Sequence, residues 1–360
     1  MKKISSAYIL VFVITALYSQ TKERKFHFNY FGHVEYRMEE IGENRNTFFS
    51  LGEQDFFITA DITKKISFLG ESVIRFDGKS ATSFLPSIER AQVKFDYYKN
   101  HSVLVGKMHG PVNYWNDVYH HGRIFFPTIE RPIAFSAIVP LHTLGLRFMG
   151  QNLGKINFGY DFVLGNGIAS TDFFDIGTSK SITASVHIKP VDNLRIQASY
   201  YNDFLEQNVA GAHSGHTSNI HINAFSKYTG ALNFEMYCFS LAYFGKRFEL
   251  LNEFVFNITQ TDTLGRANNF SNYLYGGYRI KEKHVPYLMT DLLTISNNDL
   301  HVSPFNAIRF CVGYRYEISH LINLKFQAER YSNLMHNHDM NHQNHLQTRY
   351  DFKVQLSYGF

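Results

Sequence analysis

The sequence predicts an all-β fold, a closed transmembrane antiparallel β-barrel of about sixteen strands in a single domain. Three observations carry that expectation. From Tyr350 to Phe360 every even position is aromatic or aliphatic and every odd one is polar or Gly, the pattern of a strand with one apolar and one wet face. Its length is close to the roughly 9–11 residues that a tilted strand needs to cross a bilayer. Aromatic residues make up 16% of the chain, with 34 Phe and 23 Tyr, while the mean hydropathy is only −0.22. A barrel whose strands alternate between lipid and lumen averages out in this way.

Taken in order, the chain opens with Met1-Lys2-Lys3, an apolar run from Ala7 to Leu17 and a small residue at Ser19. That reads as a secretory signal peptide over residues 1–19, since the run falls short of the ~20 apolar residues of a spanning helix. Residues 20–360 then form the barrel, with no linker, charge block or low-complexity tract to divide them.

The first amphipathic segment is Lys25–Met38, with Phe26, Phe28, Tyr30, Val34, Tyr36 and Met38 on one face and His27, Asn29, His33, Glu35 and Arg37 on the other. Next come Phe49–Ile62, Ile66–Asp77, Ser87–Tyr97, His101–Met108, His142–Met149, Lys155–Gly165, Ser179–Lys189 and Leu194–Asn202. The second half reads Thr229–Phe244, Phe248–Gln260, Phe270–Ile280, Val285–Ile295, Phe305–Glu317, Leu321–Tyr331 and Leu346–Phe360. The tenth is ambiguous, because Asn219–Phe225 also alternates. Short connections rich in Gly, Asn, Asp and Lys, such as Thr63–Lys65, Gly150–Gly154 and Lys281–His284, alternate with long ones. The prolines, Pro86 included, fall in connections, apart from Pro286 at a strand start.

The alternation, the loop order and the terminal Phe360 resemble Gram-negative outer-membrane porins of sixteen strands, most nearly the porin-like barrels of the Bacteroidota and more distantly the phosphate-selective O/P porins. The resemblance implies a cell outer membrane location, contact with outer-membrane lipid, passive diffusion of small hydrophilic solutes or ions, and a homotrimer. It also implies that the third long loop, residues 109–141, folds into the lumen and narrows the pore. That loop holds four of the eight prolines and the single Trp. Its candidate constriction residues are Tyr114, Trp115, Asp117, His120, His121, Arg123, Glu130 and Arg131. So apolar a loop would expose a large patch if it stood up in water.

Parity places acids and bases in similar number on the polar face, so no ring of one sign sets selectivity. Arg75, Arg90, Lys94 and Lys107, on neighbouring strands beside the third loop, form a candidate lumen basic patch. A formal net charge of +4 gives no reason to expect nucleic acid. Cys238, given the lipid-facing parity of Phe234 and Met236, and Cys311, given the lumen parity of Arg309, are not expected to pair. The last loop carries His336, His338, His342 and His345, a tract that could take Zn or Cu, against the plainer reading of a solvated polar loop. No cofactor is otherwise expected. Nor is an enzyme: Gly-x-Ser-x-Gly is absent, Ser136 has no evident basic partner, and Asp117 with His120 or His121 is the nearest approach to a protease pair. The alternative to a porin is a loop-closed binding barrel, for metal capture or adhesion, without an open pore.

Overall fold

The computed structural model describes residues 26–76, 84–168, 177–206, 230–302, 305–335 and 345–360. In them, sixteen strands run antiparallel in sequence order and close on themselves. They are β1 (Phe26–Ile41), β2 (Asn44–Asp61), β3 (Ile66–Phe76), β4 (Phe84–Tyr98), β5 (His101–His109), β6 (His142–Leu153), β7 (Phe158–Gly165) and β8 (Ser181–Ile188). The ring continues through β9 (Leu194–Leu205), β10 (Leu232–Phe244), β11 (Phe248–Thr261), β12 (Gly265–Tyr278), β13 (His284–Thr294), β14 (Phe305–Ser319), β15 (Ile322–Met335) and β16 (His345–Gly359). The proposed leader and the alternating stretch at 219–225 lie outside the described residues.

Closure is made by β1 and β16, registered from Phe31 opposite Gly359 to Ile41 opposite Arg349. Beyond the ladder, Tyr30 and Phe360 exchange backbone hydrogen bonds of 2.9 and 3.0 Å, and their rings lie 5.0 Å apart. The terminal aromatic thus locks the seam from the side of its own strand end.

Side-chain burial runs inside out relative to a soluble sheet. Along β16, Asp351, Lys353, Gln355 and Ser357 are buried, while Tyr350, Phe352 and Leu356 are exposed. Phe310 and Val312 on β14, Leu288 on β13, and Phe239 and Tyr237 on β10 continue the exposed apolar belt. An outward apolar belt around a ring without edges is the surface of an outer-membrane barrel.

Four expectations are corrected in detail. The connection between β1 and β2 is not a long loop but a two-residue turn at Gly42-Glu43, because both strands run on past the apolar belt; β11 and β12 do the same around Asp262–Leu264. The turn expected at Gly150–Gly154 moves to residues 154–157, since β6 continues to Leu153 through an irregularity after Gly150. Pro86 lies inside β4, opposite Ile74, and is tolerated because β5 reaches only as far as Ala91, so no second neighbour asks for its missing N–H. Cys238 shares the buried, inward parity of Phe234, Met236 and Ser240, with Tyr237 and Phe239 outside. The inner wall is apolar in this sector, so apolar character no longer marks the lipid side.

Cys238 on β10 and Cys311 on β14 are both buried free thiols with three strands between them. Peptide mapping under non-reducing conditions is expected to recover each as a separately alkylated thiol. A Cys238–Cys311 disulfide peptide would mean that the strand order is wrong.

Candidate functional site

Among the described residues, the connection between β5 and β6 is the most heavily buried segment outside the strands. At its neck His109 registers opposite His142, and the Gly110 N–H donates to the Leu141 carbonyl at 3.0 Å. Between them the chain forms a π-helical turn (Trp115–Tyr119), a 3-10 turn (Arg123–Phe125) and a short helix (Ile133–Ala137). Pro132 fixes the entry to the helix, and Gly122, at φ 81°, supplies the left-handed bend before Arg123. Asn116 holds the neck from within, its amide donating to the carbonyls of Gly110 at 2.8 Å and Leu141 at 3.0 Å.

Backbone groups of the segment are satisfied by inward-facing side chains of many strands. The N–H groups of Trp115, Gly122, Ile129 and Ile133 donate to Glu253 (3.1 Å), Asp55 (3.0 Å), Gln327 (2.9 Å) and Asp291 (2.6 Å). Carbonyls of Arg123 and Pro127 accept from Lys325 (2.6 Å) and Arg315 (3.0 Å), and those of Ile124 and Val112 accept from Asn323 and Ser199. Irregular backbone buried away from water requires such partners.

Charged side chains of the segment are paired in the same way. Asp117 bridges Arg147 on β6 (3.1 Å) and Arg195 on β9 (2.6 Å). Burial works against the Asp117 carboxylate, yet the two guanidiniums hold it below the ordinary carboxylate range. Glu130 is also buried, but Lys353 and Arg37, at 2.5 and 3.0 Å, hold it well below its usual value. Arg131 lies 2.8 Å from Glu53, which Arg123 also approaches, at 3.6 Å.

Two apolar clusters complete the docking. Trp115, Phe126 and Phe135 pack with Leu251, Tyr273, Tyr275, Tyr287 and Met289. The Trp115 ring, fully buried, meets Phe126 and Tyr273 edge-on at 5.3 Å. Val112, Ile133, Ala134, Ile138 and Val139 pack with Phe234, Met236, Val255 and Leu293. These inner-wall residues all lie on β10 to β13. On β16, β1 and β2 the inner wall is polar, with Asp351, Lys353, Gln355, Glu35 and Asp55 buried there, whereas Leu104 and Met108 of β5 form a smaller apolar cluster with Val163.

The structure distributes the eight candidate constriction residues among different partners. Tyr114 stacks with Phe244 at 6.5 Å and lies under the Arg195 guanidinium. The two Asp117 oxygens face Arg147 and Arg195, so the protease-like pairing with histidine is not made. His120 and His121 instead meet His109 and His142 in one cluster. The basic patch is matched by acids: Arg75 with Glu53 and Glu89, Arg90 with Glu71, and Lys94 with Asp96, while Lys107 donates to the Ile88 carbonyl. His336, His338 and His342 lie outside the described residues, and His345 begins β16.

Glu53 shares the polar-face parity of Asp55, whereas parity missed Glu89 as an inward group. Each sits at a register irregularity, between Leu51 and Gln54 of β2 and between Ile88 and Arg90 of β4, where an extra residue re-aims the side chains. His109 and His142 carried a weak signal, one at each end of the long loop. Gly52, whose Cβ would collide with the His33 ring, hints at the β2 bulge.

No protein-family model matches the chain, and no curated protein matches it in sequence. Solved structures do. An anion-selective porin from Comamonas acidovorans superposes with a TM-score of 0.65 at 11% identity, covering 94% of this chain and all (100%) of the other. The chain has the fold of outer-membrane porins. OmpF of Salmonella typhi, in complex with daunomycin, gives 0.57 at 11% identity over 94% of this chain and 98% of that one. A trimer form of OmpT from Vibrio cholerae gives 0.60 at 8% identity over 94% and 100%. These likenesses concern the porin fold; the narrower resemblance to Bacteroidota barrels and O/P porins is not addressed by them.

Truncating Trp115 to Ala removes a fully buried ring and is expected to weaken docking of the segment by about 3–5 kcal/mol. Opening would then become at least ~100-fold more frequent, read as faster tryptic cleavage after Arg123 or Arg131 in the folded barrel. Phe125→Ala, at a half-exposed ring, should change the rate far less. Equal rates for both variants would contradict the docked geometry.

Proposed function

We propose that this porin-fold barrel carries small hydrophilic solutes or ions by passive diffusion, along a water-filled path narrowed by residues 109–141. One observation supports this above the others: the same short segment bonds to inward side chains of β2, β9, β11, β13 and β15, strands on all sides of the ring. A chain so tethered crosses the interior rather than standing above it. Its apolar clusters seal it against β10 to β13, which leaves the path to the polar sector. There Arg37, Arg75, Arg90 and Arg349 keep a quarter of their side-chain surface in solvent, and Lys94 and Asp96 more.

Because those bases are matched by acids, the field along the path is mixed and selectivity should be weak. A cavity of ≈ 540 Å³ at the short-turn end, lined by Lys246, Glu249, Arg279, Arg315 and Glu317, would serve as the inner vestibule. The chemistry is diffusion, and no reaction is assigned. A homotrimer in outer-membrane lipid is the assembly proposed, in line with the trimer form of the OmpT neighbour. A second reading, a loop-closed binding barrel, draws on the inward Lys325, Lys353 and Gln355, which have no solvent exposure at all.

Planar-bilayer recordings separate the two. The intact protein is expected to give discrete channels, and deletion of Tyr114 to Arg131 is expected to raise single-channel conductance several-fold in a barrel that remains heat-modifiable. A silent intact protein with a conducting deletion variant would favour the closed barrel. Equal conductance in both would mean that the segment does not narrow the path.

A further inference from the structure

Where the neck of the segment meets its π-helical turn, four imidazoles come together from three places in the sequence. His109 ends β5, His142 begins β6, and His120 and His121 follow the turn. A ligand nitrogen from each can be chosen so that all four lie within 4.8 Å of one another. The His120 ring stacks on His109 at 3.6 Å and lies 4.4 and 4.7 Å from the rings of His121 and His142. Packing four imidazoles so closely has no evident benefit for docking, since buried rings bearing polar nitrogens contribute less than the Phe and Leu used elsewhere in the segment.

The decisive detail is the tautomer of His120. Asn116 uses its amide NH2 on the carbonyls of Gly110 and Leu141, so its Oδ1 is the atom facing His120 Nδ1, at 2.5 Å. An amide oxygen can only accept, so Nδ1 carries the proton and Nε2 keeps a bare lone pair. His120 is 2% exposed and that Nε2 has no hydrogen-bond partner. This buried acceptor without a donor carries a desolvation cost that a cation would remove.

Outer partners suit a cation as well. His121 Nδ1 lies 3.6 Å from Glu53 and its Nε2 3.3 Å from Glu89, while His142 Nε2 lies 2.7 Å from Glu89 and His109 Nε2 3.7 Å from Glu71. Carboxylates behind ligating imidazoles orient them and raise their basicity. We propose that His109, His120, His121 and His142 form a binding site for a divalent transition-metal ion of the Zn or Cu class, which ties the middle of the segment to its neck. An all-imidazole set with carboxylates behind it suits these ions better than Mg or Ca, which take oxygen ligands. The site is independent of the pore reading, because a tether there would hold the segment whether or not the barrel conducts.

The test separates this site from the His-rich last loop. The full chain, with His336, His338, His342 and His345 changed to Ala, is refolded in detergent with and without ZnCl2, dialysed, and assayed for bound zinc by elemental analysis. One zinc per chain is expected. In the same background His120→Gln or His142→Gln should weaken zinc binding more than the 10–100-fold typical of losing an outer partner. With CoCl2 the parent should show the intense visible bands of four-coordinate cobalt, lost in both variants, while heat-modifiability confirms that they fold. Zinc bound only when the last-loop histidines are present would overturn the proposal, as would stoichiometric zinc unaffected by either Gln substitution.

Discussion

Everything in this molecule depends on the hydrogen-bonded seam between β1 and β16. In hydrocarbon an unpaired backbone N–H or C=O costs several kcal/mol, so a sheet with two free edges could not stay in the membrane. Closing the seam joins the two ends of the barrel chain, and the unbroken register from Phe31 to Ile41 leaves neither edge open within the belt. Phe360, bonded to Tyr30 through the backbone and through its ring, sits where fraying would begin. Closure also creates an inside, and that inside sets the second problem: it must be filled with something compatible with strands whose outer faces are already apolar.

The solution is asymmetric. On β16, β1 and β2 the inner wall is polar, and Glu35, Glu53, Lys353 and Arg37 pair with one another and with Arg131 and Glu130 of the segment. On β10 to β13 the inner wall is apolar and the segment buries aromatic and aliphatic side chains against it. Each half suits a different physics. Ion pairs fix position through matched charge, as Lys353 does with Glu130 at 2.5 Å, whereas apolar contact fixes it by excluding water. A segment packed on one side and salt-bridged on the other is tied to both walls.

This asymmetry explains what the sequence could and could not disclose. Most strands were legible because they repeat with period two and the turns carry Gly, Asn, Asp and Lys. The sidedness of β16 was legible for the same reason: Asp351, Lys353 and Gln355 admit only one orientation. Cys238 was not, because β10 reads as apolar on both faces, and only the tertiary contacts of Ile133 and Val139 tell which face is inside. A bulge hid Glu89, since one extra residue shifts the parity without changing the composition. The hairpin at Gly42-Glu43 read as a loop because strands beyond the belt have no need to alternate. For the segment, its aromatic content signalled burial, but not which walls it would meet.

The histidine cluster shows why pairwise reading of a sequence fails for sites built on a loop neck. His109 and His142 lie 33 positions apart, yet antiparallel pairing sets them directly opposite. The π-helical turn then brings His120 and His121 back onto that pair, helped by Asn116, which grips both the neck carbonyls and the His120 ring. The convergence depends on the wide turn: residue i+5 donates back to residue i, as the His120 N–H does to the Trp115 carbonyl at 3.0 Å. A regular α-turn there would rotate His120 by most of one residue's arc and aim its ring away from the neck. The same local irregularity that makes the segment compact therefore also assembles the imidazoles, so the site and the fold of the segment are two consequences of one turn.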